Sequence, residues 1–134
     1  MVQMRVMLDS NVLFSALLFP GETMNRLMSK VTSEHQLVLS SYVVNEILDV
    51  THRKFPNKVL VVDRLLSQLP YELVYTPEQP EPGLFEIRDV KDYPVLYSAI
   101  AESVDIFVTG DKDFDEVDIE RPKIVTPAYF VEKY

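Results

Sequence analysis

Two kinds of apolar pattern alternate along the chain. Short unbroken runs occur at Val6-Met7-Leu8, Leu37-Val38-Leu39, within Glu72–Tyr75, within Asp105–Thr109, and at Ile124-Val125. An apolar run without polar alternation suits a strand buried on both faces of a parallel sheet. Between these runs, apolar residues recur every three or four positions, as they do on the buried face of a helix. Leu13, Phe14, Leu17 and Leu18 form one such face behind Ser10. A second helix, opened by Glu22 or Thr23 after Pro20-Gly21, carries Met24, Leu27, Met28 and Val31. A third is capped by Ser40 or Ser41 and runs to about His52, with Val43, Val44, Ile47, Leu48 and Val50. Asn57 caps a fourth with Val61, Leu65, Leu66 and Leu69, and Pro94 opens a fifth with Val95, Leu96, Ala99 and Ile100. Thr126-Pro127 starts a last short helix by the same cap-then-proline rule. The alternation predicts an α/β fold with a mostly parallel sheet of about five strands, covered by helices on both faces.

The Pro77–Gly83 connection is too short to divide the chain, so residues 1–134 are expected to form one domain. The absence of cysteine removes disulfides, thiolate nucleophiles and thiolate metal sites together. A metal site must then use oxygen ligands, with His35 and His52 as the only imidazoles. The apolar start contains Asp9 and Asn11 and lacks the basic–apolar–cleavage order of a secretory signal. No stretch approaches the roughly 20 apolar residues of a membrane span. A soluble cytoplasmic protein, with no membrane partner, is expected. The net charge of −8 argues against a general nucleic-acid binder, which presents a basic face. It does not exclude a nuclease whose acidic site first attracts divalent cations that then receive phosphates.

A few polar residues break the apolar pattern. Asp9 ends the first strand, where open α/β sheets bind their ligands; the simpler alternative is that Asp9 and Ser10 only cap a helix. Glu46 borders the apolar arc of its helix close to Val43 and Val50. It calls for a metal or base as partner, unless it reaches past the edge to water. Asp92 stands at or beside the N-cap of the Pro94 helix, where capping alone is the plain reading. The fourth strand ends in Thr109-Gly110-Asp111-Lys112-Asp113-Phe114-Asp115, with Gly110 allowing a turn. Two strand ends and two helices thus bring carboxylates toward one edge of the sheet. Such like charges raise each other's pKa unless a cation joins them, and oxygen-only ligands suit Mg²⁺ or Mn²⁺.

Leu8-Asp9-Ser10-Asn11-Val12-Leu13, Glu46, Asp92 followed by Ala99, and Thr109-Gly110-Asp111-Lys112-Asp113-Phe114 resemble, in order and spacing, the PIN domain, more narrowly the prokaryotic toxins of the VapC type. The resemblance spans essentially the full length. It implies a three-layer α/β/α sandwich and a metal-dependent ribonuclease. By that likeness Asp9, Glu46, Asp92 and Asp111 form the acidic site with Asp113 contributing, and Asp9, Asp92 and Asp111 hold Mg²⁺ or Mn²⁺. Asn11 and Thr109 would position ligands or water. Asp89-Val90-Lys91-Asp92-Tyr93-Pro94 resembles one branch of the family, and the spacing to Ala99 favours Asp92 over Asp89 as the residue that faces the metal.

The implied reaction is in-line hydrolysis of an RNA phosphodiester, with Glu46 binding the metal or orienting the attacking water. Candidate phosphate contacts are Arg53, Lys54 and Lys58 after the third helix, with Lys91 and Lys112 beside acidic motifs; any of them also reads as solvated surface charge. The implied partners are an RNA substrate, an antitoxin whose tail fills the acidic groove, and a second copy of the chain in a homodimer. Met24 and Met28 serve either the core or such a contact. Leu8-Asp9-Ser10-Asn11 with Gly110-Asp111 and Asp115 is also similar to haloacid-dehalogenase phosphatases, but their general acid would fall on Asn11, which cannot cycle a proton. The non-enzymatic rival is a PIN-like fold that binds RNA or a partner without cutting.

Overall fold

The strand Arg5–Leu8 (β1) runs through the middle of the protein, and its Val6, Met7 and Leu8 are wholly buried. The computed structural model describes residues 3–134. On one side β1 pairs with Gln36–Ser40 (β2), and on the other with Ile106–Val108 (β4). Met7 stands opposite Val38 on one side and Phe107 on the other. Glu72–Val74 (β3) and Lys123–Val125 (β5) close the two edges, giving the order β3-β2-β1-β4-β5. All four pairings are parallel. The edge strands carry exposed Glu72 and Lys123, charges that discourage pairing with a further strand.

Six α-helices among the described residues complete a three-layer α/β/α sandwich: Ser10–Leu18 (α1), Glu22–Glu34 (α2), Ser41–Lys54 (α3), Val59–Gln68 (α4), Tyr93–Ala101 (α5) and Pro127–Lys133 (α6). Leu13, Leu27, Val31, Val43, Ile47, Leu96 and Phe130 bury their helix faces in one core with the strands. Phe107 of β4 and Phe114 beyond it meet edge-on at 5.1 Å between ring centres. Met24 and Met28 pack against this core.

Local chemistry moves several boundaries from their expected places. Asp9 rather than Ser10 is the N-cap of α1, and Ser10 is its first helical residue. Ser40 caps α3 by accepting the Val43 N–H at 3.2 Å. That helix continues to Lys54 and ends at Phe55, whose N–H returns to the Thr51 carbonyl. Asn57 does not cap α4. A single 3₁₀ turn over Pro56–Lys58 comes first, and α4 then buries Val62 and Leu66 while Val61 is exposed. The tighter turn advances the chain at three residues per turn, which changes the phase of the helix that follows.

The chain visits β1, β2 and β3 moving outward, then returns to the other side of β1 to form β4 and β5. The direction reverses between β1 and β4, the place where parallel α/β sheets open a crevice at their strand carboxyl ends.

A candidate acidic metal centre

Asp9 leaves β1 at that reversal. Its backbone N–H still bonds to the Val108 carbonyl of β4 at 3.0 Å, so its position is set by the sheet. The side chain is 4 % exposed and both oxygens are engaged. Oδ1 accepts the Ser10 N–H at 2.7 Å, and Oδ2 accepts the Thr109 hydroxyl at 2.7 Å. Thr109 Oγ1 in turn accepts the Asp111 N–H at 3.0 Å, and Asp111 Oδ1 accepts the Asp113 N–H at 2.9 Å. One relay of hydrogen bonds therefore ties the end of β4 to the end of β1. It spends a single Asp111 oxygen and leaves lone pairs free on both carboxylates.

Asp92 arrives from the opposite side, at the N-cap position of α5, but its side chain makes no capping bond. Pro94 occupies the first turn and offers no N–H. Asp92 Oδ2 is buried without any hydrogen-bond partner. Asp89, exposed three residues earlier, does cap: its Oδ1 accepts the Lys91 N–H at 3.0 Å. Glu46, half-buried on α3, forms the third side. Asp9, Glu46, Asp89, Asp92 and Asp111 all line one cleft of about 530 Å³, with Asn11 beside them. Asp113 lies outside that cleft. It groups instead with Asp89 and Asp92, one carboxylate oxygen from each lying within 4.8 Å of the others, and Arg88 Nη1 stands 3.8 Å from its Oδ1.

The electrostatics follow from this crowding. Burial, then the charges of Asp111, Asp89, Asp9 and Asp113, push the Asp92 carboxyl up to about 7. Burial also raises Asp9, against the opposing pull of the Thr109 and Ser10 hydrogen bonds, with Asp111 and Glu46 adding to the rise. Tyr42, whose hydroxyl donates to the Lys91 carbonyl at 3.3 Å, is raised by burial and by Glu46, Asp92 and Asp89. A divalent cation would remove the repulsion and give Asp92 Oδ2 a partner. A set of carboxylate oxygens without sulfur is the donor set that Mg²⁺ and Mn²⁺ prefer. The residues fit such an ion.

The PIN domain family model matches residues 5–113, from β1 through the turn that carries Asp111 and Asp113. The chain belongs to the PIN domain family. PIN domains are generally nucleases. Among solved structures, the complex of VapBC2 from Rickettsia felis bound to a DNA fragment from their promoter contains a chain with the same fold. The two align with a TM-score of 0.70 at 17 % identity, over 91 % of this chain and 97 % of that one. A search of curated proteins finds no match.

Around this PIN domain's acidic cleft, the basic candidates separate. Lys54 and Lys91 line the cleft. Arg53 pairs with Asp49 at 3.1 Å along α3, Lys58 is exposed on the 3₁₀ turn, and Lys112 lines neighbouring depressions. His35 is buried and accepts the Met4 N–H through Nδ1 at 3.1 Å, away from the carboxylates. Phe14 and Phe55, which the sequence does not mark as site residues, line the cleft with Ile47, Val50 and Val95. Phe14 carries only a helical-spacing signal and Phe55 only marks a helix end, so nothing local announces that they meet.

Proposed function

We propose that this PIN domain is a Mg²⁺- or Mn²⁺-dependent ribonuclease acting as one unit over residues 1–134, and that it is the toxin of a toxin–antitoxin pair. The supporting observation is the convergence of Asp9, Glu46, Asp92 and Asp111 on one cleft, where burial and the neighbouring carboxylates push the Asp92 carboxyl up to about 7. Asp9, Asp92 and Asp111 would hold the metal, and Asp113 would reinforce the negative field from the side. A bound ion of this kind lowers the pKa of a water and neutralises charge on the phosphate.

The chain's own residues do the rest. Thr109 fixes the Asp9 carboxylate through Oδ2, so its remaining lone pairs are aimed without reorganisation. Glu46 accepts a hydrogen bond from the attacking water and takes its proton. The water oxygen attacks phosphorus, the bond to the 3′ oxygen breaks, and that oxygen takes up a proton from bulk water, so that the products carry a 5′-phosphate and a 3′-hydroxyl while Glu46 returns its proton to solvent. Asn11 orients the substrate at the cleft mouth, while Lys54 and Lys91 contact phosphate oxygens, with Lys112, Arg53 and Lys58 further along its path. The VapBC2 assembly supports an antitoxin partner, and the acidic cleft favours a basic segment of it. A homodimer belongs to the same reading.

Incubation of a structured RNA pool with Mg²⁺ or Mn²⁺, with EDTA, and with Asp9→Asn tests the proposal. The expected result is 5′-phosphate products that need the metal and vanish in the variant. Hydrolysis of a simple phosphomonoester instead would favour a phosphatase, and Mn²⁺ binding without any cleavage would leave a binding-only PIN domain.

A further inference from the structure

Among the described residues, three buried side-chain atoms have no hydrogen-bond partner: Asp92 Oδ2, Ser10 Oγ and His35 Nε2. The first two belong to residues on the wall of the acidic cleft. Asp92 Oδ2 is an acceptor that a cation would satisfy. Ser10, 7 % exposed, carries a hydroxyl, and a buried hydroxyl without a partner is costly. Its usual local outlets are closed. Asp9 takes the N-cap role, so the Ser10 hydroxyl caps nothing, and the first residue of a helix has no helical carbonyl four positions back. Thr32 and Thr51, further along their helices, make that bond at 2.7 Å each.

Ser10 also opens α1, a helix of 9 residues that begins at the cleft. The first N–H groups of a helix have no partner inside it. Here the Asp9 N–H bonds to the Val108 carbonyl and the Ser10 N–H to Asp9 Oδ1, and regular helical bonding starts with the Leu13 N–H on the Asp9 carbonyl at 3.0 Å. The Asn11 and Val12 N–H groups are therefore left without a partner in the helix. Two backbone donors and one hydroxyl gather beside Asp9, and helix ends of this kind take phosphate and other anions.

The rest of the lining shows why such donors matter. Asp9, Glu46, Asp89, Asp92 and Asp111 are acceptors only when ionised, and so are the oxygens of a phosphodiester. A cation held by the carboxylates would meet one side of that group. Lys54 and Lys91 are exposed side chains that must be ordered before they can meet another side. The donors at the start of α1 are already fixed by the fold, which is the condition for stabilising charge that develops during a reaction.

We propose that Ser10 Oγ–H and the first-turn N–H groups of Asn11 and Val12 form an oxyanion subsite for a non-bridging oxygen of the scissile phosphodiester, a role that rests on the nuclease reading above. Serine has one side-chain torsion, so its hydroxyl swings to meet that oxygen with the backbone fixed. Ser10 is then a catalytic residue, whose hydrogen bond strengthens as negative charge builds on the oxygen it touches.

The test starts from Ser10→Ala, which removes the hydroxyl and keeps a good helix former. Because the lost group is buried and unpaired, Tm should equal or exceed that of the wild type. The expected kcat on RNA is about 100-fold lower, with Mn²⁺ affinity by calorimetry unchanged. Ser10→Thr, which keeps the donor, should retain most of the rate. RNA carrying sulfur, a weak acceptor, in place of one non-bridging oxygen gives an independent reading: one diastereomer should slow the wild type and lose that extra slowing in Ser10→Ala. The amide resonances of Asn11 and Val12 should shift when inorganic phosphate is added to the Mg²⁺-loaded protein. Unchanged kcat in Ser10→Ala, a loss that merely follows weakened Mn²⁺ binding, or amides that stay still would overturn the subsite and leave the nuclease intact. A wild type that binds Mn²⁺ and cuts no RNA would overturn the nuclease reading and with it the catalytic role of Ser10.

Discussion

At the scale of single residues, the site is governed by which carboxylate oxygens are already bonded. Asp9, Asp89 and Asp111 each spend an oxygen on a backbone N–H, as capping residues do, and each keeps carboxylate lone pairs beyond that bond. Asp92 stands at a capping position without capping, which is the sharper sign of a missing partner. Thr109 touches the site twice, donating to Asp9 Oδ2 and accepting the Asp111 N–H. Replacing it by valine keeps the shape and removes the donor, and should lower Mn²⁺ affinity by roughly 10- to 100-fold, as losses of partners behind a metal ligand do. Titration calorimetry of Thr109→Val measures this.

Asp92 sets a pH dependence. Its carboxyl is raised from 3.8 to about 7, so the folded chain binds that proton more tightly than the unfolded one. The contribution of Asp92 to the stability of the metal-free protein is then fully present below the ordinary carboxyl pKa and is lost as pH rises from there through about 7. Tm in EDTA should fall between pH 5 and pH 8. Asp92→Asn should flatten that fall in part, the raised Asp9 accounting for some of the remainder, and saturating Mn²⁺ should offset it in the wild type. The place of Asp9 at the sheet's open edge was legible in the sequence because it interrupts an apolar run at a strand end. The relay through Thr109 and the role of Asp89 as the capping neighbour depend on side-chain directions that spacing does not encode.

At the scale of elements, the strands were legible because each is an unbroken apolar run, and β1, β2 and β4 do fill the buried centre. The phase of α4 was not. A run such as Val59-Leu60-Val61-Val62 is apolar at every position, and the preceding 3₁₀ turn decides which of them faces inward. Leu60, left 81 % exposed, records that outcome. Ser40 matters to the site because its cap fixes the start of the helix that carries Glu46. Ser40→Ala should cost about 1 kcal/mol in urea unfolding, with the added burden of a buried position. Met7→Ala, in the centre of the sheet, should cost about 2–5 kcal/mol, and the same urea titration compares the two.

At the scale of the molecule, the all-parallel order β3-β2-β1-β4-β5 brings the ends of β1 and β4 side by side where the winding reverses. Residues about a hundred positions apart, Asp9 and Thr109, become hydrogen-bonded there, and α3 and α5 close the cleft from outside the sheet. The sequence carried the sign of this gathering, acidic residues at strand ends and helix starts, but not which carboxylates would share an ion. No helix among the described residues is long and apolar enough to cross a membrane. With Lys54 and Lys91 in the cleft among the described residues and Lys112, Arg53 and Lys58 further along the path, RNA affinity should fall with salt with a slope of about −1.5 to −3.5 in log K against log salt, from the cleft pair alone to all five contacts. Filter binding between low and moderate salt measures it.

Two carboxylate sets share Asp92: the cleft set Asp9, Asp92 and Asp111, proposed to hold the ion, and the outer set Asp89, Asp92 and Asp113. Anomalous diffraction from Mn²⁺-soaked crystals separates them directly. The account predicts a manganese peak within coordination distance of Asp9, Asp92 and Asp111. A peak bound only by Asp89, Asp92 and Asp113, or no peak at saturating Mn²⁺, would contradict it.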